Sequence, residues 1–173
     1  MSRRHLVLRA DDVEPFPAGD GIGYLSQHVL GEEVTGLHDM LLNRGTLAPQ
    51  QALHGEAHPD NDEVYYIVSG QAWLDLGGDA RTGAGSTSYR VAPGVVAFIP
   101  AGTFHRLRND GDVDLVLLTI WPQPVAPNGN GLHARRVRTW GSAFKLREGR
   151  TLVAATDGDY VAEPGGWSPI PAS

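Results

Sequence analysis

Residues 53–70 have the sequence LHGEAHPDNDEVYYIVSG, which places three side chains able to bind a metal at alternate positions. Successive side chains of an extended segment point to opposite faces, so His54, Glu56 and His58 share one face. The polar turn PDND follows, and a run rich in β-branched and aromatic residues begins at Glu63. This stretch predicts two neighbouring extended segments that carry imidazole and carboxylate groups toward the same side.

Residues 94–109, GVVAFIPAGTFHRLRN, place a further histidine on a predicted strand. Arg106 and Arg108 occupy one face of that strand, which must be solvated, so His105 occupies the inward face. An inward histidine and an inward glutamate inside a small barrel must be paired or bound to a metal, because an unpaired buried charge is costly. The two stretches together therefore favour a metal site.

The region between His38 and Trp121 consists of short apolar runs separated by turn signals. Gly77-Gly78, Pro93-Gly94 and Asp110-Gly111 are turn dipeptides, and the last lies between two strand-like runs, as in a β-hairpin. Seven short strands at fairly regular spacing predict an antiparallel sandwich or barrel. Since no 3.6-residue periodicity is visible, we expect helix in less than about 15% of the chain.

The flanking regions give weaker signals. The strand candidates outside the central region are Leu6–Arg9, Tyr24–Leu30, Val137–Trp140, Ala143–Leu146 and Thr151–Ala155. Six of the fourteen lysines and arginines fall within 135–150, which indicates a solvated strand, a contact between subunits or an anion-binding patch. We expect one domain over 1–173, with its core at about 38–121 and extensions at 1–37 and 122–173.

The composition excludes several classes of function. The chain of 173 residues has no cysteine, which excludes disulfides, thiolate catalysis and cysteine-bound zinc. A formal net charge of −6 gives no electrostatic basis for binding nucleic acid. The sequence contains no run of about 18 apolar residues that would span a membrane, and no apolar run follows its two first arginines as in a secretory signal. We therefore expect a cytoplasmic protein without a nucleic-acid or membrane partner.

The two stretches resemble the two motifs of the cupin superfamily. The first motif runs Gly, five residues, His-x-His, three or four residues, Glu, six residues, Gly, and its second half is matched by His58, Glu63 and Gly70. The second motif runs Gly, five residues, Pro-x-Gly, two residues, His, three residues, Asn. Every position of it is matched, by Gly94, Pro100, Gly102, His105 and Asn109. The resemblance implies an all-β cupin barrel (a double-stranded β-helix or jelly roll) with N- and C-terminal strand extensions.

The resemblance also implies one divalent metal ion per chain, held by His58, Glu63 and His105. In this chain Glu56 stands where the family has its first histidine, and Gln50 stands where it has the leading glycine. Glu56 is then either the fourth ligand or a free acid–base group, or the site is degenerate and binds no metal. Two imidazoles with carboxylates suit Zn, Fe, Ni or Mn, and the ligands alone do not select one.

His54 lies on the same face and is an alternative ligand. We expect a pocket for a small organic substrate in the barrel mouth, and its candidate lining residues are His54, Tyr65, Ile67, Phe98 and Leu107.

The resemblance leaves three functions open. The preferred one is non-oxidative chemistry (cyclisation, isomerisation, dehydration or decarboxylation), loosely similar to that of cupin-type polyketide cyclases. In it the metal would polarise an oxygen of the substrate, and Glu56 or Glu63 would move the proton as the catalytic carboxylate. The alternatives are a cupin dioxygenase that uses non-haem Fe(II) or a similar metal, and a non-catalytic module that binds a small molecule. We also expect a homodimer formed through residues 1–35 or 135–160.

Overall fold

The computed structural model describes residues 6–18, 21, 23–31, 35, 39–122, 131–154 and 160–163, with the backbone alone for 151–154 and 160–163. The strands in chain order are β1 (Leu6–Val7), β2 (Phe16–Pro17), β3 (Tyr24–Leu30), β4 (Leu41–Leu47), β5 (Gln51–Ala52), β6 (Glu63–Ser69), β7 (Ala72–Leu76), β8 (Thr87–Val91), β9 (Val96–Ile99), β10 (His105–Asn109), β11 (Leu115–Trp121), β12 (Thr151–Ala154) and β13 (Tyr160–Glu163). Ala10–Asp12 form a short 3-10 helix, and Gly131–Trp140 form the α-helix α1.

Two antiparallel sheets form the barrel. One has six strands in the order β2-β3-β4-β11-β6-β9, and the other has four in the order β5-β10-β7-β8. The non-consecutive order of neighbours, with β11 between β4 and β6, is that of a jelly roll rather than of a simple meander. The predicted all-β barrel is confirmed.

The apolar core lies between the two sheets. Leu117 of β11 and Ile67 of β6 belong to the larger sheet, and they share one buried cluster with Leu74 of β7 and Leu107 of β10 from the smaller sheet. Alternation of buried and less buried residues is strict along β4 and β11, as expected for strands with one face toward a core. The side chains of both sheets therefore fill one end of the barrel with aliphatic groups.

The flanks differ in part from the prediction. Val137–Trp140 is not a strand but the end of α1, and Ala143–Leu146 contributes only an isolated bridge between Leu146 and Val13. The side chain that α1 buries fully is Arg136, so the helix shows no apolar periodicity that a sequence pattern could reveal. Because Arg136 is buried, it does not fit the interpretation of the basic residues within 135–150 as a solvated strand.

The N- and C-terminal flanks meet in a third sheet, in which β13 lies between β1 and β12. Strand β12 agrees with the predicted strand near residue 151. No α-helix in the described part of the chain is long and apolar enough to cross a membrane.

Candidate metal centre

The predicted ligands meet at one rim of the barrel. Glu63 is the first residue of β6 and His105 is the first residue of β10, so both project inward where their strands begin. Glu56 and His105 exchange two backbone hydrogen bonds, of 3.0 and 2.8 Å, which fix the segment around residue 56 beside β10. The chain therefore brings both motif regions together through backbone pairing rather than through side chains alone.

The donor atoms of these residues converge on one point. Nε2 of His58 lies 3.5 Å from Oε2 of Glu63, and Nε2 of His105 lies 3.4 Å from the same oxygen. Ligand bonds of about 2.0–2.2 Å place neighbouring donors about 3.0–3.5 Å apart around an ion, so these three side chains are spaced as ligands. Donor atoms of Glu56, His58 and His105 likewise lie within 4.8 Å of one another, close enough to hold a metal ion.

Glu56 is the outermost of the four. Its Oε1 lies 3.8 Å from Nε2 of His58 and 4.0 Å from Nε2 of His105, and its side chain is 58% exposed. The side chain of Glu63, by contrast, is 5% exposed. Glu56 thus reaches the centre with freedom to move, whereas Glu63 is held within it.

Two buried atoms at the centre have no hydrogen-bond partner among the described residues. They are Oε2 of Glu63 and Nε2 of His105. The second oxygen of Glu63 accepts a 2.9 Å hydrogen bond from Nε1 of Trp121. Nδ1 of His105 lies 3.1 Å from the carbonyl oxygen of Thr103 and donates to it, and the neutral ring then has its lone pair on Nε2. An unpaired buried donor set of this kind fits a metal ion, which would satisfy both atoms at once.

Electrostatics also favour a cation at this point. Burial lowers the pKa of His58, but the nearby carboxylates of Glu63 and Glu56 outweigh burial and raise that pKa. The same carboxylates would attract a divalent ion. The ring of His58 is further held by Trp121, whose centroid lies 4.5 Å away.

The centre opens into a cavity of about 390 Å³. Its lining residues are Ala18, Tyr24, Ser26, Asn43, Leu53, His54, Glu56, His58, Glu63, Tyr65, Thr119, Trp121, Gly131, Leu132 and Arg135. A volume of this size suits a small organic molecule. Of the residues proposed for the pocket, His54 and Tyr65 lie in this wall.

The other three pocket candidates lie elsewhere. Ile67 and Leu107 are inward but sit deeper along their strands, in the apolar core. Phe98 is 58% exposed, because it pairs with Val64 on the outward face of the sheet. Strand alternation indicates the face on which a side chain lies, but it does not tell how far along the barrel the side chain sits.

Sequence reasoning missed ten of the fifteen residues of the wall, and four of these are Trp121, Thr119, Tyr24 and Arg135. Trp121 and Thr119 share the inward face of β11 with the core leucines, so alternation along β11 could have revealed them. Tyr24 and Arg135 come from the flanks, where no motif marks them. Tyr24 approaches the barrel closely because Gly45 of β4 has no side chain, and a Cβ atom there would collide with the tyrosine ring.

Two tyrosines give the cavity neutral hydroxyl groups. Burial, followed by the negative charge of Glu63, raises the pKa of Tyr65 well above its ordinary value, and the same two causes raise that of Tyr24. Both hydroxyls therefore stay protonated at neutral pH and are available as hydrogen-bond donors. The ring of Tyr65 meets that of His105 edge-on, with 6.0 Å between centroids.

Comparison with known proteins shows what this chain is similar to. A family model described as Cupin domain matches residues 43–121. An uncharacterised protein of Acanthamoeba polyphaga mimivirus is 34% identical over 101 residues, which is 58% of this chain and 59% of that protein. An uncharacterised protein of Streptomyces coelicolor is 29% identical over 118 residues, or 68% of this chain and 96% of that protein.

Solved structures agree with the fold. A predicted oxalate decarboxylase from Thermotoga maritima has a TM-score of 0.58 at 24% identity, covering 68% of this chain and 98% of that one. The oxalate decarboxylase of Bacillus subtilis, which has Mn(II) centres, has a TM-score of 0.54 at 20% identity and covers 64% of this chain and 28% of its own. At these identities the likeness concerns the fold. The Cupin domain match over residues 43–121 and the jelly-roll order of the strands together show that the chain has a cupin-type fold.

Proposed function

We propose that this chain is a metal-dependent enzyme that carries out a non-oxidative reaction on a small organic molecule. The observation that supports it is the pair of buried, unpartnered donor atoms, Oε2 of Glu63 and Nε2 of His105, in a centre whose other residues, Glu56, His58 and Glu63, line a cavity of about 390 Å³. His58, Glu63 and His105 would hold the ion, with Glu56 as the fourth and outermost ligand. A bound divalent ion would supply Lewis-acid polarisation of a substrate oxygen.

The side chains around the ion would have two roles, positioning and proton transfer. Glu63 and His105 are buried and are fixed by Trp121 and Thr103, so they hold their positions. Glu56 is the exposed carboxylate beside them, so it is the group placed to take a proton from the substrate and release it to water. Its long separations from both histidines suit a ligand that also moves protons.

Dioxygenase activity is the second candidate function, and the set of ligands favours it. His58, His105 and Glu63 have donor separations of 3.4 and 3.5 Å, and two histidines with one carboxylate are what non-haem iron uses for O₂ chemistry. Oxygen consumption by the iron-loaded protein, measured with small acids, enols and phenols, would favour this candidate. Product formation without oxygen uptake would favour the first.

The metal itself is tested by elemental analysis of the purified protein for manganese, iron, nickel and zinc. We expect close to one ion per chain and loss of that ion in His105→Ala. His54→Ala is the matched control, since His54 lies on the same segment as His58 but is exposed and outside the group of converging donors. Full metal occupancy in His105→Ala would contradict the proposed metal centre. Loss of metal in His54→Ala would show that His54 is a ligand.

The role of Glu56 is tested separately. With both glutamates bound, their charges would cancel the +2 of the ion, so the site would depend more on a protein base. We expect Glu56→Ala to lower metal occupancy, and Glu56→His to retain metal with a preference for softer, nitrogen-favouring ions. Full metal content in Glu56→Ala, with turnover lost, would instead make Glu56 a general base and not a ligand.

A further inference from the structure

Of the two tyrosines that line the cavity, Tyr24 lies outside the residues matched to the Cupin domain, on strand β3. Its ring packs against the apolar core cluster, and its hydroxyl lies against Gly45 of the neighbouring strand β4. On the inward face of β4, Gly45 stands between Asn43, which lines the cavity, and Leu47, which belongs to the core. The hydroxyl therefore lies where the core ends and the cavity begins.

The position of this hydroxyl depends on the missing side chain at residue 45. A Cβ atom there would overlap the hydroxyl oxygen and two ring carbons of Tyr24. Gly45 lies within a regular strand, paired with Ser26 on one side and Leu117 on the other, and its φ is not positive. Glycine weakens a strand interior and often marks a place where another group approaches closely. Here that group is the hydroxyl end of Tyr24.

The Tyr24 hydroxyl is open to the cavity. It makes no hydrogen bond within the described part of the chain, and, unlike Oε2 of Glu63, it is not sealed from solvent. Burial first, and then the negative charge of Glu63, raise the pKa of Tyr24. The second cause shows that the hydroxyl lies within electrostatic reach of the candidate metal centre. The cavity thus has a protonated, unengaged donor beside that centre.

Such a donor restricts the ligands that suit the cavity. A ligand that fills the cavity covers the hydroxyl, and a covered hydroxyl without an acceptor costs free energy. The ligand must therefore present an acceptor atom at this point. Hydrogen bonds to an ionised oxygen are about twice as strong as those to a neutral one, so the hydroxyl favours an oxygen that gains negative charge during a reaction.

From this arrangement we propose that Tyr24 donates a hydrogen bond to a carbonyl oxygen of the substrate and stabilises the enolate formed from it. The inference rests on the proposed function, because it names the substrate class of the same cavity: carbonyl compounds with an acidic C–H bond beside the carbonyl group. In this step the C–H bond breaks and its proton passes to the carboxylate of Glu56. The electron pair forms a C=C bond, and the carbonyl oxygen takes the negative charge. Tyr24 keeps its own proton throughout.

The test uses 4-nitrophenolate, whose negative oxygen on a planar carbon resembles that of an enolate, and nitrobenzene, which lacks this oxygen. Isothermal titration calorimetry of the metal-loaded full chain, above the pKa of the phenol, would measure both. The wild-type chain should bind the phenolate more tightly than nitrobenzene. Tyr24→Phe should weaken phenolate binding about tenfold or more and leave nitrobenzene binding unchanged. Tyr66→Phe is the matched control, because Tyr66 is exposed on the outer face of the same sheet.

Gly45→Ala gives a second variant, which keeps the tyrosine but displaces its hydroxyl. It should weaken phenolate binding as Tyr24→Phe does, and the double variant should lose no more than either single one. If Gly45→Ala does not fold, Tyr24→Phe still decides, since it keeps the ring that packs on the core.

Three results would overturn the assignment. They are an absence of phenolate preference in the wild-type chain, a preference that survives Tyr24→Phe, and an equal loss in Tyr66→Phe. Metal analysis of each sample separates the two proposals. A purified protein without metal would contradict the metal-dependent function, whereas a phenolate preference that depends on Tyr24 in that same sample would still support the hydrogen bond from Tyr24.

Discussion

Strand β10 passes through two regions of the barrel within three residues. His105 lies in the candidate metal centre and Leu107, on the same inward face, lies in the apolar core. Burial does not separate them, because their exposures are 3% and 1%. What separates them is the neighbourhood, since carboxylates surround one side chain and aliphatic groups surround the other.

The neighbouring strands repeat this division. On β6, Glu63 belongs to the centre and Ile67 to the core, and on β11, Trp121 belongs to the centre and Leu117 to the core. The barrel therefore has a polar rim and an aliphatic interior built from the same strands. The comparison shows that one strand contributes polar side chains to the rim and aliphatic side chains to the interior, and substitutions on one strand can test the two regions separately.

The largest effect on stability is expected from Leu107→Ala. Removing a fully buried leucine from a packed core lowers the free energy of unfolding by about 2–5 kcal/mol, because a cavity remains. Urea denaturation would measure it. His105→Ala in the same metal-free buffer should lower this free energy much less, since it removes an unsatisfied buried nitrogen. An equal decrease in the free energy of unfolding for the two variants would mean that rim residues contribute as much to stability as core residues do.

The next effect concerns Asp75 of β7, which is buried and receives hydrogen bonds from Ser88, Arg106 and Arg108. Hydrogen bonding to Arg108, first among several causes, holds the pKa of Asp75 far below its ordinary value. We expect Asp75→Asn to lower the free energy of unfolding by about 1–3 kcal/mol at pH 7.

The pH dependence follows from that lowered pKa. The contribution of Asp75 is present in full above the ordinary pKa of an aspartate, about 3.9, and is lost as the pH falls from there toward the lower native pKa. The difference between wild type and Asp75→Asn should therefore shrink below pH 4. Thermal unfolding of both proteins from pH 7 to pH 3 checks this, with exposed Asp112→Asn as the control. A constant difference over that range would contradict it.

A smaller effect is expected at the rim from Trp121→Phe. The phenyl ring keeps the packing against His58 but loses the N–H that holds Glu63. Loss of a hydrogen bond that orients a ligand typically weakens metal affinity about 10–100-fold, and we expect the lower end because Glu63 stays buried. Competition with a chelating dye would give the affinity. An unchanged affinity would show that burial alone orients Glu63.

The smallest effect is expected outside the barrel. Phe98→Ser changes a side chain on the outer face, so the free energy of unfolding should change by no more than about 0.5 kcal/mol, and ligand binding should not change. A loss of ligand binding in Phe98→Ser would indicate that Phe98 does line the pocket.

The sequence predicted the barrel and the convergence of His58, Glu63 and His105 for a physical reason. Turn residues and strand alternation are local properties that can be seen in a short stretch of sequence. The spacing of His58, Glu63 and His105 within two short motifs depends on such local turns and strands. Depth along a strand depends on how the sheets stack, so Ile67 and Leu107 were assigned to the pocket although they lie in the core.

The wall formed by α1 depends on contacts that sequence patterns do not show. Its buried anchor is a charged residue, Arg136, and the barrel partner of that anchor, Ser26, is distant in sequence. Tyr24 reaches the cavity through a similarly distant contact at Gly45. The homodimer, the cytoplasmic location and the identity of the metal stay predictions.

The parallel pairing of β1 with β13 has a consequence for how the chain folds during synthesis. Leu6 pairs with Tyr160 and Val7 with Val161, so the earlier strand stays unpaired until 154 further residues have been synthesised. The barrel strands, complete by residue 121, are able to assemble while this edge is still unpaired. Closure of so long a loop is entropically costly and slow, so the third sheet should form after the barrel. The same sheet should be the first part of the structure to open when the protein is heated.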